Sequence, residues 1–69
     1  MRGAAGRAIS RVMYKTYELY PEGEDRGFEP VTCRSHEELM AAVERLMADR
    51  GANAVEVRHF GAHLFTVTA

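Results

Sequence analysis

The residues of this sequence that could do chemistry are one cysteine and three histidines. Cys33 and His36 are three positions apart, a spacing at which a histidine could serve as the base for a thiol nucleophile. A helix is predicted to begin here, and its N-terminal end would lower the thiol pKa. However, we find no third orienting group and no oxyanion device, and a cysteine in an apolar alternation is usually a small buried hydrophobe. We therefore predict that the protein is not an enzyme.

His59 and His63 flank the turn of a predicted hairpin. If its loop runs from Phe60 to Ala62, the two imidazoles face each other and could share a zinc ion. They form the only candidate metal pair, because zinc signals are strong only where several Cys or His residues occur at paired short spacings. No nucleotide-binding or metalloprotease motif is present. We therefore predict neither a metal site nor a cofactor.

Length and composition limit what can hold these residues in place. The chain has 69 residues, of which 46% are hydrophobic and 28% charged, so it can form one globular domain with a thin core. Below about 70–80 residues a single core rarely supplies more than ~3–5 kcal/mol, and such proteins often recruit a disulfide, a metal or a second subunit. Because Cys33 is the only cysteine, an intramolecular disulfide is excluded.

The first twelve residues differ in composition from the rest of the chain. Their charged residues are Arg2, Arg7 and Arg11. We predict a flexible basic tail over residues 1–12 and a single α+β domain over residues 13–69. An upstream start-site artefact is the alternative origin of the tail, since Met13 opens the first clear strand. The whole chain has a net charge of −1, so residues 13–69 carry −4.

The expected location is the cytoplasm. The arginines interrupt the apolar stretch that a secretory signal needs. The apolar runs are also too short to span a bilayer, so we predict no membrane contact.

The strongest local signal is an amphipathic helix that follows Ser35. Ser35 and Glu38 have the spacing of a capping box, in which each side chain accepts a free backbone N–H of the first turn. Gly51, after Arg50, predicts a left-handed helix C-cap. The apolar stripe recurs at i, i+4 and i+7 and consists of Leu39, Val43 and Leu46.

Two strands are predicted before the helix and two after it. Residues that favour strands alternate from Val12 to Tyr20, and the PEGEDRG segment that follows has the composition of a solvated turn. Residues 28–33 form a second strand, which Pro30 restricts to a sheet edge because proline cannot donate a ladder hydrogen bond. Residues 54–69 read as a hairpin.

The register of this hairpin follows from its apolar residues. Val55 and Val57 share a face with Phe65 and Val67 only if the paired residue numbers sum to an even number, which an odd-length loop provides. A three-residue loop, 60–62 or 61–63, is therefore predicted.

These elements predict a β-β-α-β-β fold. A right-handed crossover through the helix places the third strand beside the first, so the sheet is fully antiparallel with the strand order 2-1-3-4 and one helix on one face. The residues predicted to lie under the helix are Tyr17, Leu19, Val31, Val55, Val57, Phe65 and Val67.

The uncovered face of the sheet is the main functional clue. It is predicted to carry an apolar and aromatic strip made of Tyr14, Thr16, Tyr20, Leu64 and Thr66, with Phe60 at its rim. Such a strip on a small domain favours a partner surface. We therefore predict an interaction module that uses these residues to form a homodimer or to bind a protein partner. The alternative is that a few exposed aromatic residues are normal and that the tail folds over them.

The second predicted function is a nucleic-acid-binding accessory protein. Tyr14 and Tyr20 could stack on bases, and the arginines of the tail could contact phosphates. The acidic character of residues 13–69 argues against it, as does the lack of an RGF-type stacking motif. A protein partner is therefore the preferred prediction, with nucleic acid as the alternative.

Overall fold

The computed structural model describes residues 13–69, and the prediction of a tail over residues 1–12 lies outside this range. The described elements are β1 (Lys15–Pro21), β2 (Glu29–Cys33), α1 (His36–Arg50), β3 (Ala54–His59) and β4 (Ala62–Thr68). The strands form one antiparallel sheet in the order β2-β1-β3-β4. The predicted α+β fold, strand order and edge position of Pro30 are therefore confirmed.

The helix begins and ends at the predicted caps. The hydroxyl of Ser35 accepts a hydrogen bond from the backbone N–H of Glu38 at 3.1 Å, and the N–H of Gly51, at φ 64°, donates to the carbonyl of Met47. The second half of the capping box is displaced by one residue, because the Glu38 carboxylate accepts the backbone N–H of Arg34 at 3.1 Å and its side-chain Nε at 2.9 Å. These bonds, the backbone one first, lower the pKa of Glu38.

The core lies between the helix and one face of the sheet, as predicted. Its buried members are Leu19, Cys33, Leu39, Val43, Leu46, Val55 and Val57, and the partly buried residues packed against them include Tyr17, Val31, Phe65 and Val67. Within residues 13–69, no helix is long and apolar enough to cross a membrane.

The turn of the last hairpin has two residues instead of the predicted three. His59 pairs with Ala62, which leaves Phe60 and Gly61 as the turn, with φ values of 52° and 82°. Two positive φ values define a type I′ turn, whose twist matches that of the flanking strands.

A β-bulge restores the predicted faces after this short turn. The register shifts between Val57 and Arg58, so that Arg58 lies opposite His63 whereas Val57 lies opposite Phe65. Leu64 is the extra residue that the shift accommodates. The predicted loop was wrong because one additional residue inside a strand aligns the apolar faces as well as one additional residue in the loop does.

Candidate functional site

The open face of the sheet, which points away from α1, is the candidate contact surface, and it is more polar than predicted. Side chains alternate across a strand, so the neighbours of the buried residues Leu19, Val55 and Val57 lie on this face. It carries Thr16, Glu18, Tyr20, Thr32, Glu56, Arg58, His63, Leu64 and Thr66. Thr16 and Thr32 lie opposite each other, with their hydroxyl oxygens 3.0 Å apart.

Tyr20 lies on this face but is not available to a partner. Its side chain is only 9% exposed. The ring of Phe28 stacks on it, with the centroids 5.0 Å apart and the planes at 15°, and the Arg58 guanidinium carbon lies 3.8 Å from its centroid. The expectation that Tyr20 is exposed was therefore wrong, because the loop between β1 and β2 folds back over the sheet.

The charged groups near the middle of the open face are paired with one another. The guanidinium of Arg58 donates to Glu56 at 2.8 Å and to Asp25, in the first loop, at 3.4 Å. The hydrogen bond from Arg58 lowers the pKa of Glu56, and the same bond raises the pKa of Arg58. Both groups therefore remain charged and satisfied within the domain.

Phe60 projects from the hairpin turn at the end of this face. It is 85% exposed, and its ring contacts that of His59 at a centroid distance of 4.4 Å. The Glu18 carboxylate accepts the backbone N–H groups of Phe60 at 3.3 Å and Gly61 at 3.1 Å. Glu18 thus holds the turn to β1, a role that no local sequence pattern predicts.

The remaining predicted contact residues occupy two separate places. Leu64, 47% exposed, and the exposed Thr66 lie on β4 in line with the Phe60 turn. Tyr14 precedes β1 and is 61% exposed. It lies beside Arg34, whose pKa is raised mainly by its hydrogen bond with Glu38 and to a lesser extent by Tyr14. Phe60, Leu64 and Thr66 therefore belong to the β3–β4 hairpin, whereas Tyr14 lies beside Arg34, which follows β2.

The candidate zinc pair does not form. His59 alternates with Val55 and Val57 and lies on the helix side, where its Nδ1–H donates to the Thr16 carbonyl at 2.9 Å and its ring lies 5.4 Å from that of Tyr17. His63 lies on the open face, with its Nε2 3.0 Å from the Thr66 hydroxyl. In the part of the chain that the structure describes, no group of three or more His, Cys, Asp or Glu side chains could hold a metal ion.

Cys33 and His36 both line an open cleft of about 260 Å³ at the start of α1. The other residues that line it are Met13, Lys15, Tyr17, Arg34 and Ser35. Burial, followed by the negative charge of Glu38, raises the pKa of the Cys33 thiol. An activated nucleophile requires a lowered pKa, so the environment of Cys33 opposes thiolate formation.

Cys33 is accordingly expected to react slowly with iodoacetamide at neutral pH. Only the thiolate is nucleophilic, and both burial and the raised pKa reduce its supply. Mass spectrometry of the folded chain should show alkylation slower by an order of magnitude or more than in denaturant. Rapid modification of the folded protein at pH 6 would contradict this and would revive the thiol–imidazole hypothesis.

The chain matches no protein-family model, and it has no significant similarity to a curated protein or to a solved structure. Within residues 13–69, its fold is an α+β domain with one helix on one face of a four-stranded sheet. Any more specific statement about its role depends on the contacts described above.

Proposed function

We propose that this domain is a non-enzymatic interaction module of the cytoplasm that binds protein through the β4 side of its open face. The proposed contact residues are Phe60, Leu64 and Thr66. The partner is a second copy of the chain or another protein. Location in the reducing cytoplasm is supported by the lone buried thiol of Cys33.

The observation that carries this proposal is the conformation and exposure of Phe60. A type I′ turn favours Asn, Asp or Gly at this position, and a bulky residue at φ 52° stores on the order of 1 kcal/mol or more. The exposed ring adds a solvation cost. Residues that break a local rule in this way are concentrated at functional sites.

The surroundings of Phe60 support its use as an anchor. The two hydrogen bonds from the turn to Glu18 and the ring contact with His59 restrict its motion before any partner arrives. Such preorganisation reduces the entropy lost on binding, and buried aromatic anchors supply much of the binding energy of protein interfaces. Leu64 extends the apolar surface along β4.

The nucleic-acid alternative has less support. Tyr20, one of the two proposed stacking residues, is covered by Phe28 and Arg58. The arginines proposed to contact phosphates are in residues 1–12, outside the described range. Binding of nucleic acid would appear in the crosslinking experiment as adducts that nuclease removes.

Replacing Phe60 with asparagine is expected to separate stability from binding. Phe60→Asn removes the aromatic anchor and places in the turn a residue that tolerates positive φ, so the free energy of unfolding should stay the same or rise by about 0.5–1 kcal/mol. Protein binding should be lost. Urea denaturation measures the free energy of unfolding, and photo-crosslinking measures protein binding.

For the crosslinking, a benzophenone analogue of phenylalanine replaces Phe60 in the full chain, which is irradiated in an extract of its source cells. Adducts with protein are expected, and excess wild-type chain, but not excess Phe60→Asn chain, should compete them away. The same analogue at Phe28 is the matched control. Equal labelling at both positions would contradict the proposal, and adducts removed by nuclease would favour nucleic acid.

A further inference from the structure

The outer edge of β4 has no partner strand within residues 13–69, and it is poorly protected. The strand has seven residues, AHLFTVT, with no proline and no acidic, lysine or arginine side chain. Natural proteins usually protect an exposed edge with charges, proline or short length, because it can pair with another chain. The bulge near the start of β4 protects only that end.

The opposite edge of the same sheet shows the usual protection. β2 has only five residues and includes Pro30. Glu29 at its start pairs with Arg50 of the helix at 3.5 Å. Because one edge is guarded and the other is not, the free edge of β4 is the surface suited to strand pairing.

One hydrogen bond shows which backbone N–H and C=O groups of β4 point away from β3. The N–H of Ala69 donates to the carbonyl of Asn53 at 2.8 Å. In an antiparallel pair, backbone groups alternate between the two sides of a strand, so Val67 and Phe65 also point toward β3. The backbone N–H and C=O groups of Thr66 and Thr68 therefore point outward, whereas the bulge at Leu64 interrupts the alternation.

We propose that a second copy of this chain pairs with this edge, β4 antiparallel to β4, about a two-fold axis at Thr66. This inference rests on the proposed function for the β4 part of the contact surface and assigns the backbone edge of that strand to a second copy; the contact of Phe60 is separate from it. Thr66 would face Thr66 of the second copy, and Leu64 would face Thr68. The outward groups of Thr66 in the two copies then exchange about two hydrogen bonds across the axis.

The side chains agree with this register on both faces. On the helix side, Phe65 of one copy faces Val67 of the other, and both are only partly buried in the single chain. Pairs of an aromatic and a β-branched residue stabilise antiparallel strands, as do Thr–Thr pairs such as the one at the axis. Because residues 64–68 carry no charge, no like charges face each other across the axis.

The test introduces a charged side chain at Thr66, the residue at the proposed two-fold axis. Sedimentation equilibrium should show the wild-type full chain as a dimer that dissociates on dilution. Thr66→Lys and Thr66→Glu should each weaken the dimer on the order of 10-fold or more, because each puts like charges opposite each other. An equal mixture of the two variants should recover dimerisation as a heterodimer, which also shows that both variants fold.

The matched control is Thr32→Lys. Thr32 is also an exposed threonine of the open face, but it lies on β2, the protected edge strand. This substitution should leave the dimer unchanged. A wild-type chain that stays monomeric at about millimolar concentration, where even weak pairs associate, would overturn the inference. A mixture that fails to recover the dimer, or a Thr66→Lys variant as dimeric as wild type, would do so too.

Failure of this inference can be told from failure of the proposed function. Phe60 lies outside the paired segment, so crosslinking at position 60 and the response of the dimer to substitutions at Thr66 report on separate contacts. A monomeric wild-type chain that still gives competed adducts at position 60 would overturn only the second-copy proposal. A dimer that responds to Thr66 as described, without specific adducts at position 60, would remove Phe60 from the proposed contact surface and keep the pairing at β4.

Discussion

The Leu19→Ala variant is expected to lose most of the stability of this domain. Leu19 is 0% exposed and lies in β1, where it pairs with both Glu29 of β2 and Val57 of β3. Truncating a leucine in such a position costs about 2–5 kcal/mol, and a core of this size supplies only ~3–5 kcal/mol in total. Urea denaturation followed by circular dichroism should therefore show a shortened or absent native baseline.

Leu64→Ala is the matched control for this prediction. The same atoms are removed from a side chain that is about half exposed, so the free energy of unfolding of the monomer should change by no more than about 0.5 kcal/mol. The measurement is made at low protein concentration, because association would add its own stability. Equal losses in the two variants would contradict the placement of Leu19 at the centre of the core.

Tyr20→Ala is expected to be the second most damaging change, with a loss of about 2–4 kcal/mol. Removing the ring takes away the surface on which Phe28 stacks and over which Arg58 lies. The first loop should then detach from the sheet. Denaturation measures the loss of stability, and hydrogen exchange should show faster exchange within residues 22–28.

Tyr20→Phe distinguishes the ring from its hydroxyl group. It keeps the stacking surface and should change the free energy of unfolding by less than about 0.5 kcal/mol. If Tyr20→Ala instead kept full stability and lost only its association with protein, Tyr20 would be a contact residue, as the sequence alone suggested, and the packing described for the first loop would be incorrect.

The elements that could be predicted are those whose signals are local. Ser35 and Gly51 mark the ends of the helix through their own backbone requirements. Pro30 restricts its strand to an edge, and the handedness of the crossover then determines the strand order. These rules act within a few residues or on the topology as a whole, so one sequence is enough to apply them.

The final hairpin could not be predicted in detail because two local arrangements satisfy the same apolar pattern. An odd loop and a two-residue turn followed by a bulge both place Val57 opposite Phe65. They differ in the residues near the turn, where a shift of one position moves a side chain to the other face. For this reason His59 and His63, which a 60–62 loop would place opposite each other, are instead on opposite faces.

The candidate site could be predicted only in part for a related reason. Alternation along β1 correctly places Tyr20 on the face opposite the helix, but it does not show what covers that face. Phe28 reaches the ring because the intervening turn reverses the chain, with Gly27 at φ 74°. Exposure is thus a tertiary property, whereas the face of a strand on which a residue lies is a local one.

The burial of the single thiol has a practical consequence. Cys33 lines the open cleft but is only 5% exposed and packs in the core between helix and sheet, so a labelling reagent reaches it mainly when those layers separate. In the limit of fast reclosing, the labelling rate under native conditions divided by the rate in the unfolded chain equals the fraction of molecules that are open. Any ligand or second copy that binds the closed form would lower this fraction by mass action. The labelling rate of Cys33 therefore reports the free energy of binding without an added label on the protein.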